Sequence, residues 1–277
     1  MNHQHNLNGR TCIITGATGL LGRQHCHALA AIGANVIVTD VNNKRIDELT
    51  EELKAVYPSA FFAGFVMDVS SEESVRCISE ELKSNGLHVT ILINNAAIDP
   101  KVNNDRSTLG NSSRLESYSI DMWNAHLNVG LTGAFLCSKV FGSEMAYSKS
   151  PGVILNIASD LSVIAPDQRI YQIPDLSAEE QPVKPVTYSV VKSGLVGLTK
   201  YISTYWASYG IRCNSLSPGG VYNGQSEDFV QKLTDRIPLS RMARPDEYRS
   251  TVQYLCSDAV AYMTGQNIIV DGGRSVW

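Results

Sequence analysis

Tyr188 and Lys192 stand four positions apart in "TYSVVKSG", and an i,i+4 pair shares one face of a helix. Two readings are open. Tyr188 can be an aromatic on a helix that its lysine keeps soluble, or it can donate and accept a proton. A free phenol, with a pKa of about 10, is a poor base at neutral pH. A cation within a few ångströms favours the phenolate and brings it toward useful acid/base strength. Ser159, closing the apolar run "GVILNIAS", has a hydroxyl that can donate to an oxygen gaining negative charge. A serine at a strand end can equally cap the next element. Together the three residue types suit a secondary alcohol that gives up its hydroxyl proton while its carbon loses hydride. Accepting that hydride is work for a cofactor.

A place for one is legible near the start of the chain. "TGATGLLG" sets Gly16, Gly19 and Gly22 at intervals of three, with Leu20 and Leu21 between the last two. Glycines so spaced between a strand and a helix permit a tight turn, close approach of a pyrophosphate to a helix N-terminus, and close helix–sheet packing. Asp40 ends the second strand, "NVIVTD". A carboxylate there accepts hydrogen bonds from an adenosine ribose and repels a 2′-phosphate, which points to NAD in preference to NADP. Lys44 and Arg45 follow closely and weaken that preference, although both also read as solvated helix charges.

The elements that must position these residues alternate without interruption. Strand-like runs fall at 11–15, 35–39, 60–68, 89–95, 152–159, 211–217 and 266–273. Helical spacing occupies the stretches between them: 20–32, 43–56, 72–84, a long 120–147, 187–207 and 246–256. Apolar strands separated by helices indicate βαβ units and a parallel sheet covered on both faces. The expected fold class is α/β, a Rossmann-type doubly wound sheet in three layers, with 1–277 as a single domain. Three segments escape the alternation: an Asn- and Ser-rich 98–119, a proline-rich 160–186, and 220–235, which begins as a loop and becomes a short helix. They follow the carboxyl ends of strands, where open α/β sheets place their ligands.

Composition narrows the class further. The 277 residues include 23 Lys and Arg against 27 Asp and Glu, a net charge of −4 without a basic footprint for nucleic acid. The N-terminal "MNHQHNLNGR" has no apolar run of the kind a secretory signal needs, and no stretch approaches a membrane span. The six cysteines are far apart and form no CxxC, and the histidines form no HExxH, so no metal site is expected. Scattered cysteines in apolar runs suit a reducing compartment, and the expected location is the cytoplasm.

Taken in order, these features resemble the short-chain dehydrogenase/reductase family over essentially the whole chain. The set comprises the glycine turn, Asp68 after strand three, "NNAA" at 94–97, Asn128, Ser159, "YSVVK" at 188–192 and "SPGG" at 217–220. The resemblance implies that Asp68 and Val69 flank the adenine and that Asn94 and Asn95 support the cofactor cleft, with Ala96 and Ala97 beside the ribose. It implies that Asn128 bends the long helix and holds a water in a proton relay. Ser159 would orient the reacting oxygen, Tyr188 would be the acid/base, and Lys192 would bind the nicotinamide ribose while lowering the pKa of Tyr188. Pro218, Gly219, Val221 and Asn223 would line the nicotinamide side. Asn128 also reads as an ordinary polar interruption of an apolar helix, and Tyr171 and Tyr222 as loop aromatics that either touch substrate or cover apolar surface.

The chain departs from the family pattern in four places. Gly19 comes one residue early and Leu20 takes the place of a glycine, the spacing of the extended branch; Ala97 replaces a glycine, and Asn223 a threonine. The fourth is the interval of 29 positions from Ser159 to Tyr188, more than twice what is usual. The added residues, opposite a polar 98–119 loop, favour a bulky polar hydroxy or keto compound such as a sugar or nucleotide sugar. They also resemble members that act in surface-polysaccharide or flagellin-glycan synthesis. The reading is an NAD(P)-dependent interconversion of secondary alcohol and ketone. Alternatives are an epimerase or dehydratase acting on a nucleotide sugar, and a non-catalytic NAD-binding structural protein. Apolar and aromatic residues beyond one buried stripe in 187–207 imply a homo-oligomer, dimer or tetramer.

Overall fold

Apolar runs too short for helices and rich in β-branched residues form seven strands: β1 (Thr11–Thr15), β2 (Asn35–Asp40), β3 (Phe62–Val66), β4 (Val89–Asn94), β5 (Gly152–Ile157), β6 (Ile211–Pro218) and β7 (Asn267–Val270). In the computed structural model, which describes residues 5–99, 113–148 and 151–277, they make one parallel sheet in the order β3-β2-β1-β4-β5-β6-β7. This is the doubly wound order anticipated from the alternation. The helices are α1 (Leu20–Ala30), α2 (Asn43–Val56), α3 (Glu72–Ser84), α4 (residues 120–147), α5 (Val186–Tyr205), α6 (Glu227–Thr234) and α7 (Arg249–Cys256). Residues 100–112 of the expected 98–119 loop lie outside the described residues.

Strand side chains alternate between two cores. Cys12 and Ile14 of β1 point into the one that takes Leu29 of α1, Leu49 of α2 and Val252 of α7. Ile13 points into the other, with Ile78 of α3, Phe141 of α4 and Ile202 of α5. All five residues of β1 are buried, because helices cover both of its faces. The strands are shorter than the sequence suggests: 60–68 contracts to Phe62–Val66 and 266–273 to Asn267–Val270. Met67 and Asp68, at the carboxyl end of the first of those runs, serve instead in a loop with ligand-facing positions.

α4 is long but not uniform. Two π-helical turns, Asn128–Thr132 and Ser138–Gly142, interrupt its α-helical pattern. The expected bend at Asn128 is thus a widened turn, a feature that often marks functional sites.

Candidate active site

One cleft of about 1220 Å3 opens at the carboxyl ends of the strands, where the order reverses between β1 and β4. Its floor begins at the glycine turn. Gly16 has φ +58°, and a Cβ there would stand 2.8 Å from the Ala96 Cα, so only glycine suits this close crossing. Gly19 caps α1 without any side-chain hydrogen bond, which leaves the first N–H groups of the helix for a ligand. Gly22 does not line the cleft; a Cβ on it would strike the Gly16 carbonyl, so its role is packing of helix against turn. Leu20 and Leu21 line the cleft beside Gly19.

The turn is held from the neighbouring strand. Thr15 Oγ1 accepts from the backbone N–H groups of Asn95 and Ala96, both at 3.0 Å, and the Asn95 amide donates to the carbonyls of Thr15 and Gly16. Asn94 faces the other way, donating to Ser138 and Asn156 in the core, and so supports the cleft without lining it. Asp40 accepts from Thr18 Oγ1 at 2.7 Å and from the Thr18 and Val41 N–H groups, which orients its carboxylate at the cleft edge. Arg45 lines the same edge. Asp68 and Val69 contribute one wall and Pro218, Gly219, Val221 and Asn223 another, with Ala97 between. Asp68 also holds Ser70 by its N–H and hydroxyl. The close-crossing glycine, uncapped helix and oriented carboxylate together suit a nicotinamide dinucleotide.

Ser159, Tyr188 and Lys192 meet in this cleft. Lys192 is buried, and its Nζ donates to the Ile157 carbonyl at 2.8 Å. Burial pushes its pKa down to about 8, with Asp99 acting against the shift and Lys184 adding to it. Lowering of the phenol pKa by Lys192 is not what the protein alone displays. Burial, then the Asp99 charge, raises Tyr188 above its ordinary value, and a hydrogen bond with Ser159 only partly offsets them. Lys192 Nζ is 5.8 Å from the Tyr188 ring centroid. The Ser159 hydroxyl donates to Asp160 at 2.9 Å. Donation to a reacting oxygen therefore requires that proton to turn away from Asp160.

Asn128 is not brought to the site. It is exposed and absent from the cleft lining; the buried residue of that turn is Gly130. A Cβ on Gly130 would lie 2.6 Å from Val191 Cγ1, so close packing of α4 on α5 selects glycine for the inward position. Residues two apart do not share a helix face, and Asn128 consequently turns outward. Glycine in the middle of a long helix was the available signal, since it costs about 1 kcal/mol relative to alanine unless packing requires it.

Sequence reasoning also missed two ion pairs. Asp160 and Arg274 are both buried in the cleft, with Arg274 Nη1 2.7 Å from Asp160 Oδ2. Lys184 pairs with Asp99 at 3.0 Å and lies over the Tyr188 ring. Lys184 belongs to the added segment, whose Ile170, Tyr171, Gln172, Ile173 and Pro174 also line the cleft. The segment is braced rather than loose. Asp167 pairs with Arg236 just beyond α6, Gln181 bonds back to Ile173 and Leu176, and Ile170 is buried against Leu233 and Met242. Tyr171 packs against Phe229, with ring centroids 5.6 Å apart, while Tyr222 is exposed and outside the lining.

Comparison with known proteins agrees with this geometry. Residues 10–233 match the family model described as short chain dehydrogenase. The chain is 31% identical to a 3-oxoacyl-[acyl-carrier-protein] reductase of Aquifex aeolicus, over 96% of this chain and 98% of the relative. It is 27% identical to the D-threitol dehydrogenase of Mycolicibacterium smegmatis, over 98% and 94%. Among solved structures, a gluconate 5-dehydrogenase of Burkholderia cenocepacia in complex with NADP and tartrate superposes with a TM-score of 0.84 at 26% identity, covering 99% of this chain and 98% of the other. A short chain dehydrogenase of Leptospira borgpetersenii with bound NAD+ gives 0.84 at 29% identity, covering 100% and 96%. None of these names supports the resemblance to glycan-synthesis members.

Proposed function

We propose, from the premise that this chain belongs to the short-chain dehydrogenase family and is an NAD(P)-dependent oxidoreductase, that it interconverts a secondary alcohol and a ketone on a small polyhydroxylated, sugar-like substrate. The observation that carries the reading is the meeting of Tyr188, Lys192 and Ser159 in the cleft that also holds the glycine turn and Asp40. Tyr188 is the acid/base: its oxygen takes the hydroxyl proton in oxidation and returns it in reduction. Lys192, fixed by the Ile157 carbonyl, holds its ammonium for a ribose hydroxyl and for the phenolate. Ser159, oriented by Asp160, aligns the reacting oxygen. When bound at the glycine turn, the dinucleotide supplies the hydride acceptor or donor.

Substrate polarity is supported by the Asp160–Arg274 pair. Burying two charges costs several kcal/mol per ion unless they are paired and hydrogen-bonded. A ligand bringing hydroxyls to that pair adds hydrogen bonds, whereas an acyl chain would seal it from water and give nothing back. The names of the threitol and gluconate relatives agree with a polar hydroxy compound. The apolar side formed by Ile170, Phe229 and Met242 suits the C–H face of such a molecule. Asp40 supports NAD over NADP, through repulsion of a 2′-phosphate. A screen of polyols, keto sugars, sugar nucleotides and a 3-oxoacyl thioester, each with both dinucleotides, tests the reading. Turnover with a polyhydroxylated compound and NAD is expected; turnover confined to the thioester would reject it.

A further inference from the structure

Ser159 does not stand alone in the cleft. Its hydroxyl donates to Asp160 Oδ1, which also accepts from the Leu161 N–H at 2.9 Å. The other carboxylate oxygen, Oδ2, accepts from Arg274 Nη1 at 2.7 Å. All three of Ser159, Asp160 and Arg274 are buried. Arg274 comes from the far end of the chain, on a turn shaped to deliver it. Gly273 has φ +90°, and a Cβ there would stand 2.9 Å from Pro238 Cγ. Asp271 accepts from the N–H groups of Gly273 and Ser275, on either side of Arg274. The turn is anchored without the ion pair, since the Leu239 N–H donates to the Gly272 carbonyl and Trp277 Nε1 to the Arg236 carbonyl. A buried ion pair is in general no better than packed apolar side chains at stabilising a fold. Its contact with the serine, rather than anchorage of the terminus, is what sets this pair apart.

A lone carboxylate at Asp160 would oppose the reaction twice. It would keep the Ser159 proton, because a hydrogen bond to an ionised acceptor is much stronger than one between neutral groups. It would also add negative charge to a cleft in which Tyr188 must become phenolate. Burial and then Asp99 already raise the Tyr188 pKa, and Asp160 adds to the rise. We infer that Arg274 is a positioning residue for the reaction: by neutralising Asp160 it frees the Ser159 hydroxyl to turn to the reacting oxygen and keeps the cleft open to the Tyr188 phenolate. The inference rests on the acid/base reading of Tyr188 above. Arg274 takes no proton. In oxidation the substrate O–H breaks and a Tyr188 O–H forms as hydride leaves the carbon for the dinucleotide, and Ser159 only exchanges one acceptor for another. The charged and titratable groups facing Tyr188 are Asp99, Asp160, Tyr171, Lys184 and Lys192. Asp160 also bears on Tyr171 and Tyr248, both raised chiefly by burial.

The pH dependence of kcat for alcohol oxidation tests the inference, because its rising limb follows ionisation of Tyr188. Arg274→Met leaves Asp160 uncompensated. Its limb should move up by about one pH unit and kcat at neutral pH should fall about tenfold, with the Kd for NAD within about twofold of the parent. Asp160→Asn leaves the guanidinium uncompensated and should move the limb down. Arg274→Met combined with Asp160→Asn carries neither charge; its limb should return to within about half a unit of the parent's, with kcat about tenfold above that of Arg274→Met alone. Arg274→Lys keeps the charge and should keep the limb in place. A pair that serves only folding would lower the melting temperature of the single variants and leave the limb of the folded protein unmoved. That result would overturn the inference, as would a downward shift in Arg274→Met. If Arg274→Met does not fold, Asp160→Asn and the double variant decide by the same limb. Tyr188→Phe separates the two claims. Its retained turnover would remove the acid/base reading itself, whereas an inactive Tyr188→Phe beside unmoved limbs in the Arg274 and Asp160 variants would remove only the role of Arg274.

Discussion

Lys184 Nζ lies 3.9 Å from the centroid of the Tyr188 ring, nearer than Lys192 Nζ at 5.8 Å. The nearer cation therefore comes from the added segment, and its charge is one of the two that act on Lys192, lowering it while Asp99 raises it. Lys192 is protonated below about 8 and neutral above. Affinity that depends on its ammonium is full below that pH and lost as pH rises through it. Titration of NAD between pH 6 and 10 should show this loss, and Lys184→Met should move it to higher pH. A shift to lower pH would contradict the arrangement.

Tyr188→Phe removes the hydroxyl and leaves the ring packing. Turnover should fall by about 10²–10⁴-fold, with the NAD dissociation constant nearly unchanged. Lys192→Ala should damage both, because its Nζ serves proton transfer and ribose binding. Steady-state kinetics and calorimetric titration of the two variants give the comparison; near-normal turnover of Tyr188→Phe would end the proposed mechanism.

Asp40 should set the cofactor preference. Wild-type protein should bind NAD more tightly than NADP. Asp40→Ala should raise the ratio of kcat/KM with NADP to that with NAD by about tenfold, the equivalent of ~1.4 kcal/mol. The same variant releases Thr18, so affinity for both dinucleotides should also decline. An unaltered ratio would place selectivity elsewhere, with Arg45 the first residue to test.

Replacing residues 168–183 by a short Gly/Ser linker should raise the substrate KM or abolish activity while NAD binding persists. The bracing adds a second expectation. Loss of Ile170 uncovers Leu233, Ile237 and Met242, and removing one such buried side chain costs about 1.5–3 kcal/mol. Thermal unfolding should therefore occur at lower temperature. Kinetics equal to those of the parent would show that the segment has no part in substrate binding.

Helices α4 and α5 leave Phe135, Tyr147, Tyr201 and Tyr205 exposed, with Tyr201 and Tyr205 stacked at 5.6 Å. Apolar surface of this kind marks an interface, and closed symmetry predicts a dimer or tetramer. Light scattering at micromolar concentration should return a multiple of 30.2 kDa; a monomer would refute the assembly.

Whatever depends on local pattern is legible in the sequence. Short, continuously apolar strands, amphipathic helices such as α2 and α3, the glycine turn and the end-of-strand Asp40 are all written within a few neighbouring positions. The Tyr188–Lys192 pair is a single helical turn. Asp160 and Arg274 are separated by most of the carboxyl-terminal half, and nothing local announces that β5 and the segment after β7 bring them together. Lys184 reads as a loop charge because its partner, Asp99, lies after a different strand. Asn128 misleads because its polar side chain draws the eye, while helix packing has chosen Gly130, a position that needs no side chain.

The widened turn at Asn128–Thr132 has a consequence for any attempt to transfer positions between this chain and its relatives. A π turn carries one residue more than the α pattern would. Deleting a single residue there would let an ordinary helix run through with its two ends facing as they do now, whereas a deletion in a regular part of α4 would rotate one end by about 100° relative to the other. His126 would still face Thr187 and Ser138 would keep its bond to Asn94, but their separation in sequence would then fit an unbroken α-helical period, which it does not fit now. The two ends of α4 are thus out of phase, and a gap placed even one position wrong in an alignment exchanges an inward residue for an outward one.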